Sequence, residues 1–529
     1  MTPPPTRREF IKTAGLGTAA LTLPGLLNHC VSSRQRPNIL LIMSDDHAEQ
    51  AISSYGRSLI QTPNIDRIAR EGVRFTNSFV TNSICAPSRA VMLTGKYSHA
   101  NGLRDNRDTF DGSQMTFPKL LQQVGYHTSI VGKWHLKSDP TGFDHWDILK
   151  GQGQYYNPDF RSASGPDRVE GYATDIITEK ALAVLRSQSA DQPFCMLVHH
   201  KAPHRNWMPA LRHLNALADL EIPAPATLED DYAGREETAG HADMRVRDMY
   251  LSFDFKLHPW AYAEETGTGG SARFAEKVEA SWKATYDRFT PEQRAVWDAH
   301  YDRVNAEFKD LEAQGGDLLN WKFRHYMLDY LRTILAVDES VGSLLDELDE
   351  SGRSTDTIVI YTSDQGFYLG EHGWYDKRFM YEESMGMPLV MRYPAAVDAG
   401  QVSDRMVLNL DFAPTLLDYA GLATPAAMQG DSFRGLLSRG GEWRQSVYYH
   451  YYEYPHGWHK VKRHCGVRTD SHKLIHFYDD DIWELYDLEN DPEEMHNLIA
   501  DPAQSDLIAD LKAELVRLQE MYGDTVEAG

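Results

Sequence analysis

The sequence is poor in cysteine and in positive charge, and both shortages exclude classes of protein. Four cysteines in 529 residues are too few for a disulfide scaffold. The 53 Lys and Arg residues are outnumbered by 77 Asp and Glu residues, which gives a formal net charge of −24. We therefore expect no nucleic-acid partner, because a phosphate backbone needs a basic face. A small basic pocket can still bind an anion, since charges act locally, within a Debye length of about 8–10 Å.

Long apolar runs, internal repeats and low-complexity segments are also missing from the sequence. No segment reaches the length needed to cross a bilayer, so we expect no transmembrane helix. The hydrophobic content of 42% and the aromatic content of 11% are typical of a globular enzyme. A chain of 529 residues is too long for one simple core, which favours two domains.

The first 33 residues have the pattern of an export signal. Residues 6–12 read Thr-Arg-Arg-Glu-Phe-Ile-Lys and resemble a twin-arginine motif, and a short, weakly apolar stretch follows at 14–27. This pattern predicts a twin-arginine signal over 1–33 and a periplasmic or secreted protein. Cys30 offers the alternative of a lipoprotein anchor, but His29 before it fits a lipobox poorly. A plain N-terminal tail is a further alternative.

Two of the cysteines have no predicted chemistry. Cys195 lies in an apolar run and is expected to be a buried small hydrophobe. No feature of the sequence supports a disulfide between Cys195 and Cys465, and the pairing of these two residues stays open at this point.

Buried-strand patterns alternate with helical patterns along most of the chain, which predicts an α/β fold with a doubly wound sheet. Apolar runs at 37–43, 194–199 and 357–362 predict strands buried on both faces of a parallel sheet. Helical patterns cover 64–71, 117–124, 174–187 and 326–348. Ligand groups in such sheets follow the carboxyl ends of strands. Four polar residues in such positions are expected to converge, namely Asp45, Asp46, His204 and Asp364.

The character of the sequence changes twice along the chain. Residues 205–322 are rich in charged and aromatic side chains, and we interpret them as an insertion in a catalytic domain that spans 36–440. Two interpretations stay open for the aromatic side chains, packing on the core or forming a wall or lid over a substrate cleft. After residue 440, short strand patterns and a terminal amphipathic helix at 506–521 predict a smaller C-terminal subdomain over 441–529.

Residues 85–89 form the most informative motif, Cys-Ala-Pro-Ser-Arg, which reads C-x-P-S-R. Taken alone, the motif also fits a free cysteine ahead of a helix with proline in its first turn. Four further motifs occur along the chain, and with them the sequence resembles the type I sulfatases of the alkaline phosphatase superfamily. In that family the cysteine, here Cys85, is converted by a formylglycine-generating enzyme to Cα-formylglycine, whose hydrated aldehyde attacks sulfate esters.

The resemblance also has implications for the fold. It implies an alkaline-phosphatase-like catalytic domain, in which a central, mostly parallel sheet is flanked by helices. The strand patterns after residue 440 are similar to the smaller C-terminal α+β domain of the family, which carries an antiparallel sheet.

Acidic pairs after two predicted strands form the second and third motifs. They are Asp45 with Asp46, and Asp364 with the amide residue Gln365. Such residues are often only helix caps, because negative charge is favourable at a helix N-terminus. Three carboxylates and an amide oxygen also suit calcium, which prefers oxygen ligands. The resemblance implies a calcium site formed by these four residues and the modified Cys85, although the family often has Asn where this chain has the longer Gln365.

Lysines and histidines complete the catalytic set that the resemblance implies. Lys133 and His135 lie in Gly-Lys-Trp-His at 132–135, His204 follows Ala-Pro, and Lys377 lies between Asp and Arg. Sulfate transfer needs positive charge near the non-bridging oxygens and a proton for the leaving alcohol. A lone histidine is more often structural, and His199 and His200 are expected only to support a strand end.

The resemblance implies a role for each residue of this set. Lys133, His204 and Lys377 would clamp the sulfate, and His204 or Lys377 would protonate the leaving oxygen. Arg89, one helical turn after the cysteine, would fix the aldehyde hydrate and the metal. His135 would take a proton from the second hydroxyl of the hydrate, so that sulfate leaves and the aldehyde returns. Plain cysteine or serine lacks that second hydroxyl, so the conversion is a mechanistic need.

Residues 151–156 and 371–378 resemble bacterial glycan sulfatases, some of them N-acetylglucosamine-6-sulfatases. This predicts hydrolysis of sulfate esters on a carbohydrate, with 6-O-sulfated N-acetylglucosamine as the leading substrate and an algal polysaccharide such as ulvan as the alternative. A phosphonate or phosphate monoesterase of the same superfamily is a rival, which the lack of histidine ligands for a second metal disfavours. A non-catalytic protein that binds sulfated glycans is the other rival, and the full set of catalytic residue types disfavours it.

Overall fold

The computed structural model describes residues 36–56, 59–262, 272–437 and 440–526. The predicted export signal at 1–33 lies outside the described residues. Within the described ranges, no helix combines the length and the apolar character that a membrane crossing requires.

The largest element of the fold is a ten-stranded sheet. The strands of the first 410 residues are β1 (Asn38–Ser44), β2 (Val73–Phe75), β3 (Ser78–Phe79), β4 (His127–Gly132), β5 (His145–Leu149), β6 (Asp159–Ser162), β7 (Gly165–Arg168), β8 (Phe194–His199), β9 (Thr357–Ser363), β10 (Leu389–Arg392), β11 (Gln401–Ser403) and β12 (Val407–Leu408). Ten of them lie in the order β11-β2-β10-β9-β1-β8-β4-β5-β6-β7, and β3 pairs with β12. The central strands from β9 to β5 are parallel, and antiparallel pairing begins at β10 and β6. The predicted mostly parallel sheet is confirmed.

The α-helices of the described chain are α1 (Pro63–Arg70), α2 (Cys85–Thr94), α3 (Ser98–Asn101), α4 (Phe117–Gln123), α5 (Ala173–Ser187), α6 (Ala272–Tyr286), α7 (Pro291–Gln314), α8 (Leu318–Glu350), α9 (Glu382–Met385), α10 (Phe412–Tyr419) and α11 (Ser505–Tyr522). The four helical patterns before residue 350 correspond to α1, α4, α5 and α8. The last of these helices is longer than predicted. It begins at Leu318, where the side chain of Asp317 accepts a hydrogen bond from the N–H of Asn320 and caps the first turn.

Two hydrophobic cores lie on opposite faces of the large sheet. Leu40 and Ile42 of β1 pack with α1, α5 and α8, whereas Ile39 and Leu41 pack with α2, α4 and α10. Successive side chains of a strand point to opposite faces, so a central strand with both faces buried must be apolar throughout. This is why the run at 37–43 is continuous rather than alternating.

A second, antiparallel sheet forms near the C-terminus, as predicted. Its strands are β13 (Ser446–Tyr451), β14 (His464–Thr469), β15 (His472–Phe477) and β16 (Ile482–Asp487), and each neighbouring pair is antiparallel. Tyr448, Tyr449 and Tyr451 are buried in a third core, which also contains Phe79 and Trp374 from the larger part of the chain. These tyrosines therefore pack the fold and are not available to stack on a ligand.

The aromatic side chains of the predicted insertion also pack inside the protein. Trp207, Trp282, Trp297 and Trp321 are buried in the core that contains Leu40. Among the five tryptophans of this segment, Trp260 is the exception, with 54% of its surface exposed. Of the two interpretations left open by the sequence, packing on the core therefore describes most of these residues.

Cys195 and Cys465 are separate free thiols. Both are buried, and they belong to different hydrophobic cores, Cys195 beside the large sheet and Cys465 beside the C-terminal sheet. Burial raises the pKa of each thiol, so both are protonated and behave as small hydrophobes.

Trp297 of α7 packs the predicted insertion against Tyr156 in the rest of the chain, and its removal tests this packing. Its ring centroid lies 4.4 Å from that of Tyr301 and 5.8 Å from that of Tyr156. We expect Trp297→Ala to lower the free energy of unfolding by about 3–5 kcal/mol, because the truncation leaves a large cavity. Urea unfolding followed by circular dichroism measures the change. Val296→Ala is the matched control, since Val296 is 48% exposed, and equal losses in the two variants would contradict this packing role.

Candidate active site

The carboxyl ends of β1 and β9 bring three carboxylates together. Parallel pairing sets Ser44 beside Ser363, so Asp45 and Asp364 follow the two strands at the same level. The backbone N–H of Asp46 donates to the Asp364 carboxylate over 3.2 Å. The three acids each offer an oxygen within 4.8 Å of the other two, and all three side chains are buried.

Cys85 is the first residue of α2 and lies against this acidic cluster. Ile84 before it is extended, so the helix begins at the cysteine, and Nε2 of Gln365 donates to its Sγ over 3.8 Å. Burial raises the pKa of the Cys85 thiol well above its ordinary value, and the charge of Asp45 adds to the effect. The unmodified thiol is therefore protonated at neutral pH and is a weak nucleophile.

The guanidinium of Arg89 connects α2 to the ends of three strands. Its Nε and Nη2 lie 2.9 and 2.8 Å from Oδ2 of Asp364. Its Nη1 donates to the carbonyl oxygen of Lys133 over 2.9 Å and lies 3.3 Å from Nδ1 of His199. Because the donors of arginine are held in a rigid fork, a single side chain fixes all of these groups relative to one another.

Lys133 follows β4 and reaches the first carboxylate. Its ammonium donates to Asp45, and its backbone N–H donates to the carbonyl oxygen of His199 over 2.7 Å. Gly132 before it has a φ of +105°, and a Cβ at this position would lie 2.0 Å from the same carbonyl oxygen. Only glycine permits this approach, which explains why the motif begins with glycine.

Lys377 contacts the second carboxylate from the segment after β9. Its Nζ lies 2.7 Å from both Oδ1 and Oδ2 of Asp46. Asp46 has a φ of +68°, an uncommon conformation for a non-glycine residue, and its carbonyl oxygen accepts a hydrogen bond from the Tyr330 hydroxyl over 2.9 Å. The surrounding structure thus holds this carboxylate in one orientation.

Two of the predicted histidines lie beside the acidic cluster. The Nδ1–H of His204 donates to the carbonyl oxygen of Arg205 over 2.6 Å, so Nε2 is turned to the site, 3.8 Å from Oδ2 of Asp46. His135 has a φ of +58° and a buried Nδ1 that lacks a hydrogen-bond partner among the described residues. Burial lowers the pKa of both rings well below the ordinary value, so both are neutral and can accept a proton.

Each carboxylate of the cluster has a close cationic partner, and Nη2 of Arg89 also lies 3.8 Å from Oδ1 of Asp45. The pairs are Asp45 with Lys133, Asp46 with Lys377, and Asp364 with Arg89. Burial and the neighbouring acids raise the pKa of Asp46 to about 7 and that of Asp364 to about 6. For Asp45, burial acts upward, but the charges of Lys133, His204 and Arg89 bring the pKa well below its ordinary value. Repulsion among the acids is therefore only partly balanced, and a divalent cation would relieve it.

The donor set of the cluster fits a hard divalent cation. Oδ1 of Asp45 and Oε1 of Gln365 are buried and have no hydrogen-bond partner among the described residues. Nε2 of Gln365 instead donates to Asp46 and, over 2.7 Å, to Oδ1 of Asp364, so its amide lies between the acids. Rotation of this amide about its last bond would present Oε1 there, beside three carboxylates. The longer side chain of Gln365 therefore reaches the position that the predicted metal site requires.

Three residues around Lys377 were not predicted from the sequence. Asp376 and Arg378 flank it with φ values of +78° and +108°, and Nε2 of His459 lies 3.1 Å from Oδ2 of Asp376. Arg378 also pairs with Glu453. For Asp376 and Arg378 the available signals were adjacency to Lys377 and the resemblance of residues 371–378 to glycan sulfatases, neither of which assigned a role to them. His459 ends a Tyr/His-rich segment at 448–459 that could be expected to stack on sugar rings, but its contact with Asp376, more than 80 residues away, was not predictable because it depends on how the C-terminal sheet packs.

The end of β8 contributes two supporting histidines and one unpredicted lysine. His199 contacts Arg89, and Nε2 of His200 lies 3.1 Å from the hydroxyl of Ser340 on α8, as expected for residues that support a strand end. Lys201 follows them and is also buried. A buried site with several cations and neutral histidines, next to the N-terminus of a helix, is suited to binding and cleaving the ester of a tetrahedral oxyanion.

Comparison with known protein families identifies the chemistry of this site. The profile described as Sulfatase matches residues 37–422, and the profile described as N-sulphoglucosamine sulphohydrolase, C-terminal, matches residues 370–521. The chain belongs to the sulfatase family. This sulfatase is a sulfuric ester hydrolase, so the family and the activity predicted from the sequence are confirmed, and the non-catalytic rival is not supported.

Individual relatives agree with this assignment. The N-acetylglucosamine-6-O-sulfatase of Bacteroides thetaiotaomicron is 48% identical to this sulfatase over 522 residues, which cover 96% of this chain and 91% of the relative. A solved structure of a protein in complex with its substrate D-glucosamine-2-N,6-O-disulfate has a TM-score of 0.87 and 48% identity, over 93% of this chain and 99% of that chain. A phosphonate monoester hydrolase from Silicibacter pomeroyi has a TM-score of 0.66 at 19% identity, over 92% of this chain and 95% of that chain, and shares the fold alone.

The role of the Arg89 fork can be tested by a substitution that keeps its charge. We expect Arg89→Lys to lower kcat/KM for sulfate ester hydrolysis about a hundredfold, because lysine cannot bridge Asp364 and the Lys133 carbonyl and the nucleophile is displaced. Steady-state kinetics with a small aryl sulfate measure the loss. Arg70→Lys, at the exposed end of α1, is the control and should retain full activity. An Arg89→Lys enzyme with unchanged kcat/KM would mean that the site requires only the charge.

Proposed function

We propose that this sulfatase removes the 6-O-sulfate group from N-acetylglucosamine or glucosamine units of sulfated glycans. The observation that carries the proposal is the 48% identity, over 96% of the chain, to an N-acetylglucosamine-6-O-sulfatase. The relative that was solved with D-glucosamine-2-N,6-O-disulfate as its substrate supports the same class of sugar. The substrate is thus a sulfated carbohydrate, and the 6-O-sulfated amino sugar is its proposed form.

The residues around Lys377 supply a surface on which such a sugar can lie. Asp376, Arg378 and His459 have φ values of +78°, +108° and +73°, and backbone in this region is strained in residues other than glycine. Strain of this kind persists only where the surrounding structure enforces it, and it is concentrated at functional sites. Here Asp376, an acceptor, and Arg378, a donor whose Nε has no hydrogen-bond partner among the described residues, flank Lys377, and His459 contacts Asp376. Sugar hydroxyls are recognised by such groups.

We further propose that Cys85 is matured to Cα-formylglycine and that calcium occupies the acidic cluster. Asp45, Asp46, Asp364 and Gln365 would hold the cation together with the modified residue. When bound, calcium supplies positive charge for the sulfate oxygens and for the nucleophile. A hydrated aldehyde at position 85 supplies an oxygen nucleophile and the second hydroxyl that a thiol lacks. The raised pKa of the unmodified thiol supports the need for this change.

The side chains of this sulfatase would then bind the sulfate and move protons around it. Lys133 and Lys377 present ammonium groups to the non-bridging oxygens, which is where positive charge stabilises the transition state. His204 turns its Nε2 to the site; neutral in the structure, it would first take up a proton at this atom beside the bound sulfate and then give it to the leaving sugar oxygen. His135, which is neutral and lacks a partner for Nδ1 among the described residues, would accept the proton that is released when sulfate departs.

The proposal also covers the cellular location of the enzyme and the partner that matures it. A twin-arginine signal at 1–33 would direct it to the periplasm or the exterior, where sulfated glycans are encountered. A formylglycine-generating enzyme would be its partner for maturation.

A single substitution tests the proposed sugar surface. We expect His459→Ala to lower kcat/KM for N-acetylglucosamine 6-sulfate at least tenfold, because a buried partner of Asp376 and a sugar contact are lost together. Turnover of a small aryl sulfate, which does not reach this surface, should stay within about threefold. His456→Ala is the matched control, since His456 is exposed in the same segment. Equal losses on both substrates would assign His459 to the catalytic machinery. Turnover of sulfated algal oligosaccharides but not of N-acetylglucosamine 6-sulfate would overturn the proposed substrate.

Maturation of Cys85 can be tested by mass. In protein from its native host, the peptide that spans Cys85 should be about 18 Da lighter than its cysteine form, as the change from thiol to aldehyde requires. Cys85→Ala should abolish the release of inorganic sulfate, whereas Cys195→Ala should not, because Cys195 lies in a hydrophobic core away from the site. An unmodified thiol in fully active enzyme would contradict the proposed nucleophile.

A further inference from the structure

Lys201 is a fourth cation near the catalytic cluster, and it forms no ion pair with any of the three carboxylates. Three carboxylates are matched by three cations, Lys133, Lys377 and Arg89, the last of which pairs with Asp364 and also lies 3.8 Å from Asp45. Lys201 precedes His204 by three residues, has only 4% of its surface exposed, and lies close enough to the cluster for the charges of Lys133, Asp45 and Asp46 to act on it. Within the described part of the chain, its ammonium forms no ion pair and no hydrogen bond.

The Lys201 ammonium lies against an aromatic face. Its Nζ lies 4.9 Å from the centroid of the Tyr155 ring. A ring face attracts a cation but accepts no conventional hydrogen bond. The three N–H donors of the ammonium therefore remain available to another group. Buried lysines are rarely found without a counter-charge, which makes a missing anion the simplest explanation.

The backbone around Lys201 is tied to catalytic residues on both sides. The N–H of His204 donates to the carbonyl oxygen of Lys201 over 3.0 Å, and the N–H of Asp45 donates to that of Ala202 over 3.3 Å. The hydroxyl of Tyr155, whose ring lies under the ammonium, donates to the carbonyl oxygen of His204 over 2.6 Å. Lys201 is therefore held in place relative to the sulfate-binding residues.

The electrostatic surroundings of Lys201 also indicate a place for an anion. Burial lowers its pKa to about 8, and the charge of Lys133 acts in the same direction. Asp45, Asp46 and the Cys85 position oppose this shift from a distance, without pairing with the ammonium. An anion bound between Lys201 and Lys133 would remove their repulsion and satisfy both.

We propose that the Lys201 ammonium binds a non-bridging oxygen of the sulfate ester directly, as a further substrate-binding residue of the known reaction. The inference depends on sulfate ester hydrolysis and not on which sugar carries the sulfate. A purely structural role does not explain Lys201, because a lysine without a hydrogen-bond or ion-pair partner in the protein stabilises the fold only through its contact with the Tyr155 ring.

The test compares Lys201→Met and Lys201→Arg with wild type and with Lys150→Met, an exposed lysine that serves as the matched control. Inorganic sulfate is the probe for binding, measured by calorimetry, and a small aryl sulfate is the probe for kcat/KM. We expect Lys201→Met to weaken sulfate binding and to lower kcat/KM roughly tenfold to a hundredfold, since a charged hydrogen bond is lost. Lys201→Arg should recover most of both, and Lys150→Met should change neither.

Thermal unfolding without sulfate separates a binding role from a structural one. Replacement of a buried, unpartnered charge by an apolar side chain should leave the Tm of Lys201→Met equal to or above that of wild type. Unchanged sulfate affinity in Lys201→Met would overturn the proposal, and so would a weakened affinity that is accompanied by a large fall in Tm. Neither probe contains a sugar. If the enzyme did not act on the proposed glycan, the measurements with inorganic sulfate and the aryl sulfate would therefore still test the role of Lys201.

Discussion

Repulsion among three buried carboxylates, each with an oxygen within 4.8 Å of the others, is the constraint on which the catalytic region depends. Each acid is balanced by a cation from a different part of the chain: Lys133 after β4, Lys377 beyond β9 and Arg89 in α2. Removing one partner of a buried pair leaves an uncompensated charge and costs about 3–5 kcal/mol. The ion pairs therefore couple the packing of distant segments to the formation of the site, since displacing any one segment would leave a buried charge without its partner.

The two partners of each ion pair must be held close together, and the backbone positions them. The register of β1 and β9 sets the level of Asp45 and Asp364, and the missing side chain of Gly132 lets β4 approach β8 closely enough for Lys133 to reach the cluster. Asp46 and His135 adopt positive φ values that their surroundings enforce. Precision at the site thus comes from strand ends and tight turns, which explains why the functional residues follow strands so closely.

Much of this arrangement could be predicted from the sequence, because its signals are local. The continuous apolar runs identified β1, β8 and β9, and the acids directly after two of those strands were expected to meet at one edge of the sheet. The parts that could not be predicted depend on contacts between remote segments. His459 reaches Asp376 only through the packing of the C-terminal sheet, and the isolation of Lys201 becomes visible only when the partners of all the other charges are known. The length of α8 was missed because its first turns lie in a stretch whose charged and aromatic residues hid the helical period.

The charge balance of the cluster explains how one set of residues can serve both stability and sulfate binding. With every group ionised, the formal charges of the three carboxylates and the three cations that pair with them sum to zero, and Lys201 adds one positive charge. If the proposed calcium takes the carboxylates as ligands, Lys133 and Lys377 are no longer their main counter-charges, and the ammonium groups become available to an anion. The cluster then carries an excess of positive charge in a buried space, where an anion binds more strongly than in water because the local dielectric is low. A sulfate monoester meets that requirement, so the cations of these ion pairs would also be the groups that bind the substrate.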